Sequence, residues 1–78
     1  MQPYHDVYGD SGVSAYETAP DSITVRFKDG MAYIYTNASV GSGVIAIMKQ
    51  LATQGDRLNA YINNNDNVKK GYVSKFRC

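Results

Sequence analysis

The sequence predicts an α+β fold: a small antiparallel β-meander of about three strands with one or two helices packed on one face. Three observations favour this class. Two strand-like runs flank Asp29-Gly30, an apolar stripe of helical period follows them, and 78 residues suit a single domain. A chain this short buries little surface when it folds, so a homodimer is a candidate assembly.

The central element is a predicted β-hairpin. The runs ITVRFK and MAYIYT are rich in β-branched and aromatic residues, and Asp-Gly is typical of a two-residue type I′ turn. A two-residue loop would pair Arg26 with Tyr33. The core face would then hold Ile23, Val25, Phe27, Ala32 and Ile34. The opposite, aromatic and basic face would hold Thr24, Arg26, Lys28, Met31, Tyr33 and Tyr35.

The segments on either side of this hairpin complete the meander. GVSAYET is a third strand-like run, and Pro20-Asp21 supplies the fixed φ and the bonding side chain that a turn favours. At the end of the chain, KKGYVSKFRC alternates over a short patch. Local pattern leaves open whether that patch adds an edge strand or stays disordered.

The first predicted helix follows the hairpin. Its apolar stripe repeats at i, i+3, i+4 and i+7 and consists of Val44, Ile47, Met48 and Leu51. Ser39 or Ser42 is the expected N-cap, and Gly55 the C-terminal stop. This helix should cover the apolar face of the hairpin.

A shorter second helix is predicted after it. Asp56 is the expected N-cap, and the apolar positions at helical spacing are Leu58, Tyr61 and Ile62. The polar run at 63–67, Asn-Asn-Asn-Asp-Asn, is interpreted as a loop that follows this helix.

Charge is unevenly distributed although the formal net charge is only +1. Residues 1–22 contain acidic side chains and no Lys or Arg, whereas residues 64–78 contain Lys69, Lys70, Lys75 and Arg77 against Asp66. This gradient permits a polyanionic partner without requiring one, and solvated surface charge is the more common explanation. No apolar run approaches the roughly 20 residues of a membrane span, and no signal peptide is evident, so we expect a cytoplasmic protein without a membrane partner.

Catalytic chemistry is not expected. His5 is the sole histidine and Cys78 the sole cysteine, so a nucleophile has no evident base and neither an internal disulfide nor a Cys-based zinc site is available. His5, Asp6 and Asp10 match no metal-binding spacing. Gly41-Ser42-Gly43 lacks the Lys-Ser/Thr of a phosphate-binding P-loop. We therefore predict no enzyme activity, no metal and no cofactor.

The aromatic and basic face suggests a binding role. Aromatic rings stack unpaired bases, and neighbouring cations hold phosphates. The candidate nucleic-acid-binding residues are Tyr33, Tyr35, Arg26, Lys28, Lys69 and Lys70. Three structural alternatives remain open: the tyrosines pack beneath the terminal segments, they lie in a dimer interface, or Tyr33 forms a cross-strand cation–π pair with Arg26.

The sequence also resembles a known family. The residues that carry the resemblance are Ser11, Val13, Tyr16, Ile23-x-Val25-x-Phe27, Gly30, Tyr33-x-Tyr35, Gly55, Leu58-Asn59 and Ile62. Their order is similar to that of the KTSC domain, a short module with a central Tyr-x-Tyr that occurs alone in bacterial proteins and at the C-terminus of some lysyl-tRNA synthetases. Where the family usually has Ser-Lys-Gly, this sequence has Thr53-Gln54-Gly55. The resemblance suggests RNA binding.

These observations lead to two hypotheses. The chain is divided into an N-terminal extension at 1–10, a KTSC-like domain at 11–63 and a basic C-terminal tail at 64–78. The first hypothesis is a non-enzymatic module that binds RNA or single-stranded nucleic acid through the aromatic and basic face. The alternative is a small protein-interaction or inhibitor module of the kind that phages and mobile elements encode, acting through that face or the tail.

Overall fold

The computed structural model describes residues 2–4, 12–55 and 57–77. Within these ranges the chain forms one antiparallel sheet of five strands in sequential order. The strands are β1 Gln2–Pro3, β2 Val13–Ala19, β3 Ser22–Phe27, β4 Met31–Thr36 and β5 Ser74–Arg77. The α+β class and the turn at residues 20–21 are confirmed, but the sheet has more strands than the predicted meander, because a segment from each end of the chain adds an edge strand.

Helical segments occupy most of residues 37–69. They are α1 Asn37–Val40, α2 Ser42–Gln54, α3 Leu58–Asn64 and α4 Asp66–Lys69. Gly55 ends α2 in the left-handed region at φ 70°, as predicted. The predicted N-caps were wrong. Gly41 precedes α2 without a side-chain cap, while Ser39 forms a reciprocal capping box with Thr36 at the start of α1.

The Asn-rich run is not simply a loop. Its first residues end α3, Asn65 alone breaks the helix, and Asp66 begins α4. Asp56, the predicted cap of α3, lies outside the described residues, and Arg57 at φ 60° occupies the N-cap position. Burial of Val68 in the common core gives α4 a tertiary anchor that the polar composition of the run does not reveal.

The predicted stripe of α2 is confirmed in part: Met48 is buried, and Val44 and Leu51 pack against the core, but Ile47 does not. Ile45, Met48 and Ala52 are buried, whereas Ile47 is 44% exposed. Two apolar stripes overlap on this helix, and they share Met48. The buried stripe includes the small Ala52, which permits close approach to the sheet, so Ile47 is turned toward solvent.

The predicted hairpin register was wrong by one residue. Arg26 pairs with Ala32 and Val25 with Tyr33, so the connection has three residues, 28–30, rather than two. Gly30 donates its N–H to the Phe27 carbonyl at 3.0 Å and adopts φ 90°. Asp-Gly suits this longer loop too, because a glycine with positive φ follows the turn there.

The shift by one residue changes the orientation of every β4 side chain relative to β3. Tyr33 and Tyr35 therefore share the helix-covered face with Val25, while Ala32 and Ile34 share the opposite face with Arg26. The expectation that the tyrosines point away from the core was wrong: Tyr35 belongs to the core and Tyr33 packs against it.

Both flanking segments contribute to the folded unit. Tyr4 is buried, and its hydroxyl oxygen accepts a hydrogen bond from the Leu58 N–H at 3.0 Å. At the other end, β5 pairs with β4, which resolves the open alternative for the tail in favour of an edge strand. The buried core consists of Tyr4, Val13, Tyr16, Ile23, Val25, Tyr35, Ile45, Met48, Ala52, Leu58, Ile62 and Val68. Among the described helices, none has the length and apolar character needed to cross a membrane.

Candidate binding cavity

A cavity of about 620 Å³ lies between the loop end of the β3–β4 hairpin and the helices α3 and α4. It lies on the helix-covered side of the sheet. Its lining residues are Gly12, Phe27, Lys28, Asp29, Tyr33, Tyr35, Asn59, Ile62, Asn63, Lys69, Lys70 and Tyr72. Its volume falls within the range of about 300–1,000 Å³ that small-molecule sites occupy.

Aromatic side chains from three parts of the chain line one wall of this cavity. The rings of Phe27 and Tyr33 meet edge to face, with centroids 5.4 Å apart and planes at 85°. Tyr33 meets Tyr72 in the same manner at 4.9 Å and 76°. These contacts hold the segment between α4 and β5 against the sheet, so the wall is preorganised by ring packing.

Tyr35 combines burial with an unpartnered hydroxyl. The residue is 1% exposed and lines the cavity, yet no hydrogen-bond partner for its hydroxyl occurs within the described parts of the chain. The pKa of Tyr35 is raised to about 12. Burial is the largest cause, and the negative charges that Tyr33 and Tyr72 would carry when ionised add to it. The hydroxyl is therefore protonated near neutral pH and available as a donor.

Helix α3 contributes two carboxamides to the cavity. Asn59 and Asn63 are one turn apart on the same helical face, next to the buried positions Leu58 and Ile62 that anchor the helix. Gly12 lies against the first of them, since a Cβ there would be 3.4 Å from Asn59 Oδ1. Each carboxamide offers both a donor and an acceptor.

Three lysines belong to the lining of this cavity. Lys28, Lys69 and Lys70 line the cavity and are exposed, while Asp29 is the acidic residue in the lining. Strand β5 adds Lys75 opposite Tyr33, and the Lys75 Nζ lies 5.7 Å from the centroid of the Tyr72 ring. The tail that the sequence marks as basic is therefore folded beside the cavity, which concentrates positive charge in a chain of almost zero net charge.

The structure brings together five of the six predicted binding residues. They are Tyr33, Tyr35, Lys28, Lys69 and Lys70, and all line the cavity. Arg26 does not join them, because it lies on the other side of the sheet and its Nε–H donates to Ser14 Oγ at 3.0 Å. The predicted cation–π pair between Arg26 and Tyr33 was therefore wrong.

Sequence reasoning missed several lining residues. Asn59 and Asn63 had a usable signal, because an i, i+4 pair beside a predicted apolar stripe shares a helical face. Tyr72 had none, since its position depends on how the tail folds back. His5 and Cys78, considered and rejected as catalytic residues, lie outside the described residues. Among the residues that are described, no three His, Cys, Asp or Glu side chains come together to hold a metal ion.

Comparison of the chain with family models, with curated proteins and with solved structures found no match. The resemblance to the KTSC domain therefore stays a prediction, and functional inference depends on the cavity itself.

Proposed function

We propose that this domain is a non-catalytic binding module for single-stranded nucleic acid, RNA in particular, and that the ligand enters the cavity rather than lying on an open sheet face. The observation that supports this function best is the convergence of an aromatic wall and exposed lysines on one cavity. RNA-binding proteins commonly place unstacked bases on aromatic side chains and hold the backbone through cations.

The separation of charge and aromatic surface within the cavity matches the two parts of a nucleotide. Lys28, Lys69 and Lys70 are exposed, so they reach phosphates without being removed from water. The aromatic side chains of the same lining offer a surface for a base, at about 1–3 kcal/mol for each stacked base.

Binding of fluorescent single-stranded RNA, measured by anisotropy at two salt concentrations, tests this function. We expect the affinity of the wild type to fall as salt rises, because phosphate contacts release counterions. The single variants Lys69→Gln and Lys70→Gln should each weaken binding and reduce the slope of log affinity against log salt by about one. Circular dichroism of each variant checks that the fold is retained.

Lys49→Gln is the matched control. It removes the same charge, but the Lys49 Nζ donates to the Ala19 carbonyl at 2.6 Å beside the β2–β3 turn, and Lys49 is not a lining residue of the cavity. Its salt slope should equal that of the wild type. Absence of RNA binding at low salt would contradict the proposal, and an equal effect of Lys49→Gln and Lys69→Gln would show that only overall charge matters.

A protein partner is the alternative, and one observation favours it. Strand β5 is at the edge of the sheet, all its residues are exposed, and Phe76 is 41% exposed. An exposed edge strand is a common acceptor for a strand from another protein. Such a complex should survive nuclease and respond weakly to salt, whereas a nucleic-acid complex should respond strongly to both.

A further inference from the structure

The hydroxyl of Tyr35 distinguishes the interior of the cavity from an ordinary apolar pocket. We infer that the cavity admits one unpaired nucleobase and selects it by a hydrogen bond from the Tyr35 hydroxyl, with the carboxamides of Asn59 and Asn63 beside it. This inference rests on the proposed function and adds base selectivity to it.

Burial of the Tyr35 hydroxyl costs free energy of folding. A hydroxyl taken out of water without a hydrogen bond opposes folding, and a phenylalanine would fill the same space without that cost. At Tyr35 the ring is part of the core, while the hydroxyl has no partner within the described residues. A ligand with an acceptor atom in the cavity would satisfy it.

The lining of the cavity favours one part of a nucleotide over the other near Tyr35. Apart from the exposed lysines and the exposed Asp29, the polar side chains of the lining are neutral: Tyr33, Tyr35, Tyr72 and the two carboxamides. Tyr35 itself is buried, whereas the three lysines are exposed. A phosphate at the interior would lose water without gaining a cation, whereas a base is neutral and presents donors and acceptors along its edge. The arrangement therefore favours a base inside and phosphates at the lysines.

The polar groups of the lining have the hydrogen-bond capacity to distinguish bases. Each carboxamide both donates and accepts, and the protonated Tyr35 hydroxyl donates. Such a set distinguishes bases, because a base that places a donor where the hydroxyl needs an acceptor leaves both groups unsatisfied. The cavity volume of about 620 Å³ accommodates a ligand of this size together with water.

The test compares Tyr35→Phe with the wild type on four homopolymeric single-stranded RNAs, by anisotropy at low salt. We expect the wild type to prefer one base. Tyr35→Phe should lose about tenfold in affinity for that RNA and little for the others, so that the preference is nearly abolished. Its melting temperature should equal or exceed that of the wild type, because the hydroxyl that the variant removes has no hydrogen-bond partner among the residues that the structure describes.

Tyr16→Phe is the matched control. It makes the same chemical change at another buried tyrosine, whose hydroxyl lies 3.4 Å from Gln2 Oε1 and which does not line the cavity. Its base preference should equal that of the wild type. Asn63→Ala, at an exposed position of α3, is a second variant that can be used if Tyr35→Phe does not fold. It should also weaken the preference for one base over the other three.

The outcomes separate the two proposals. If the wild type binds no RNA at low salt, the proposed function is wrong and base selection fails with it. If the wild type binds all four homopolymers equally, or if Tyr35→Phe and Asn63→Ala keep its affinity and preference, base selection alone is overturned. A loss that appears equally in Tyr16→Phe would also overturn it, because the effect would not come from the cavity.

Discussion

The two halves of the helix-covered sheet face differ in what they bury. Near the β2–β3 turn, α2 packs on β3 and β4 through Ile45, Met48 and Ala52. The Lys49 ammonium connects α2 to the end of β2 by donating a hydrogen bond to the Ala19 carbonyl. Near the β3–β4 loop, the helices α3 and α4 leave a cavity in which hydroxyl and carboxamide groups remain.

The two halves of this sheet face therefore contribute unequally to the stability of the fold. The half beneath α2 buries apolar side chains, which is how a short chain obtains its stability. The cavity is lined by Tyr35 as well, whose hydroxyl has no hydrogen-bond partner within the described residues, and this gives up part of that stability. Groups kept at such a cost are those that a ligand is best placed to satisfy.

The largest expected effect concerns the half of the sheet face beneath α2. Met48→Asp places an unpaired carboxylate at a fully buried position of α2, and we expect it to abolish the folded state at 25 °C, since small domains have only about 5–15 kcal/mol of stability. Ile47→Asp is the matched control on the same helix, at a position 44% exposed, and should lower the free energy of unfolding by less than about 1 kcal/mol.

Circular dichroism with urea denaturation measures both variants. Equal destabilisation by the two would show that the helix does not use the face described for it. A folded Met48→Asp would show that the half beneath α2 is not the stabilising one.

The sequence predicted the elements better than their faces. The hairpin, the turn at Pro20-Asp21 and the stop at Gly55 were correct, because each depends on local backbone preference. The loop length was not correct, because Asp-Gly suits both two-residue and three-residue connections. The placement of Ile47 in the buried stripe of α2 failed for a related reason: two overlapping stripes satisfy the helical period, and only packing on the sheet selects between them.

The candidate site was predicted as a residue set but not as a shape. Tyr33 and Lys28 were chosen for an exposed face, and they meet in a cavity instead, because the register shift turns the tyrosine inward. The tail was separated from the domain on composition, yet Tyr72 packs on Tyr33 and Lys70 lines the same cavity. Long-range contacts of this kind leave no local pattern in a single sequence.

The second expected effect concerns pH. The pKa of Tyr35 is raised to about 12 in the folded protein, against about 10 in an unfolded chain. The folded state therefore holds this proton more tightly, so its contribution is intact below pH 10 and is lost as pH rises from 10 toward 12. The loss should be about 2–3 kcal/mol.

Urea denaturation at a series of alkaline pH values measures this loss. Tyr35→Phe is the reference, because the two proteins differ only in this hydroxyl, so the difference between the two curves isolates Tyr35. Parallel curves for the two proteins would show that the hydroxyl is well solvated, and the contrast between the two halves of the face would then lose its main support.

The smallest expected effects concern two glycines, one in the β3–β4 loop and one in α2. Gly30 ends the hairpin loop at φ 90°, where a Cβ would meet only Arg77 Nη1 at 3.7 Å, so the cost of Gly30→Val is conformational and should be about 1–3 kcal/mol. Gly43 is in the first turn of α2 with no atom within 4 Å of a Cβ, so Gly43→Ala should raise the free energy of unfolding by up to about 1 kcal/mol. Thermal melts of the two variants should therefore shift in opposite directions from the wild type. A Gly30→Val protein that melts like the wild type would mean that the loop does not need a positive φ, and the three-residue connection that turns Tyr33 and Tyr35 toward the helices would lose its local cause.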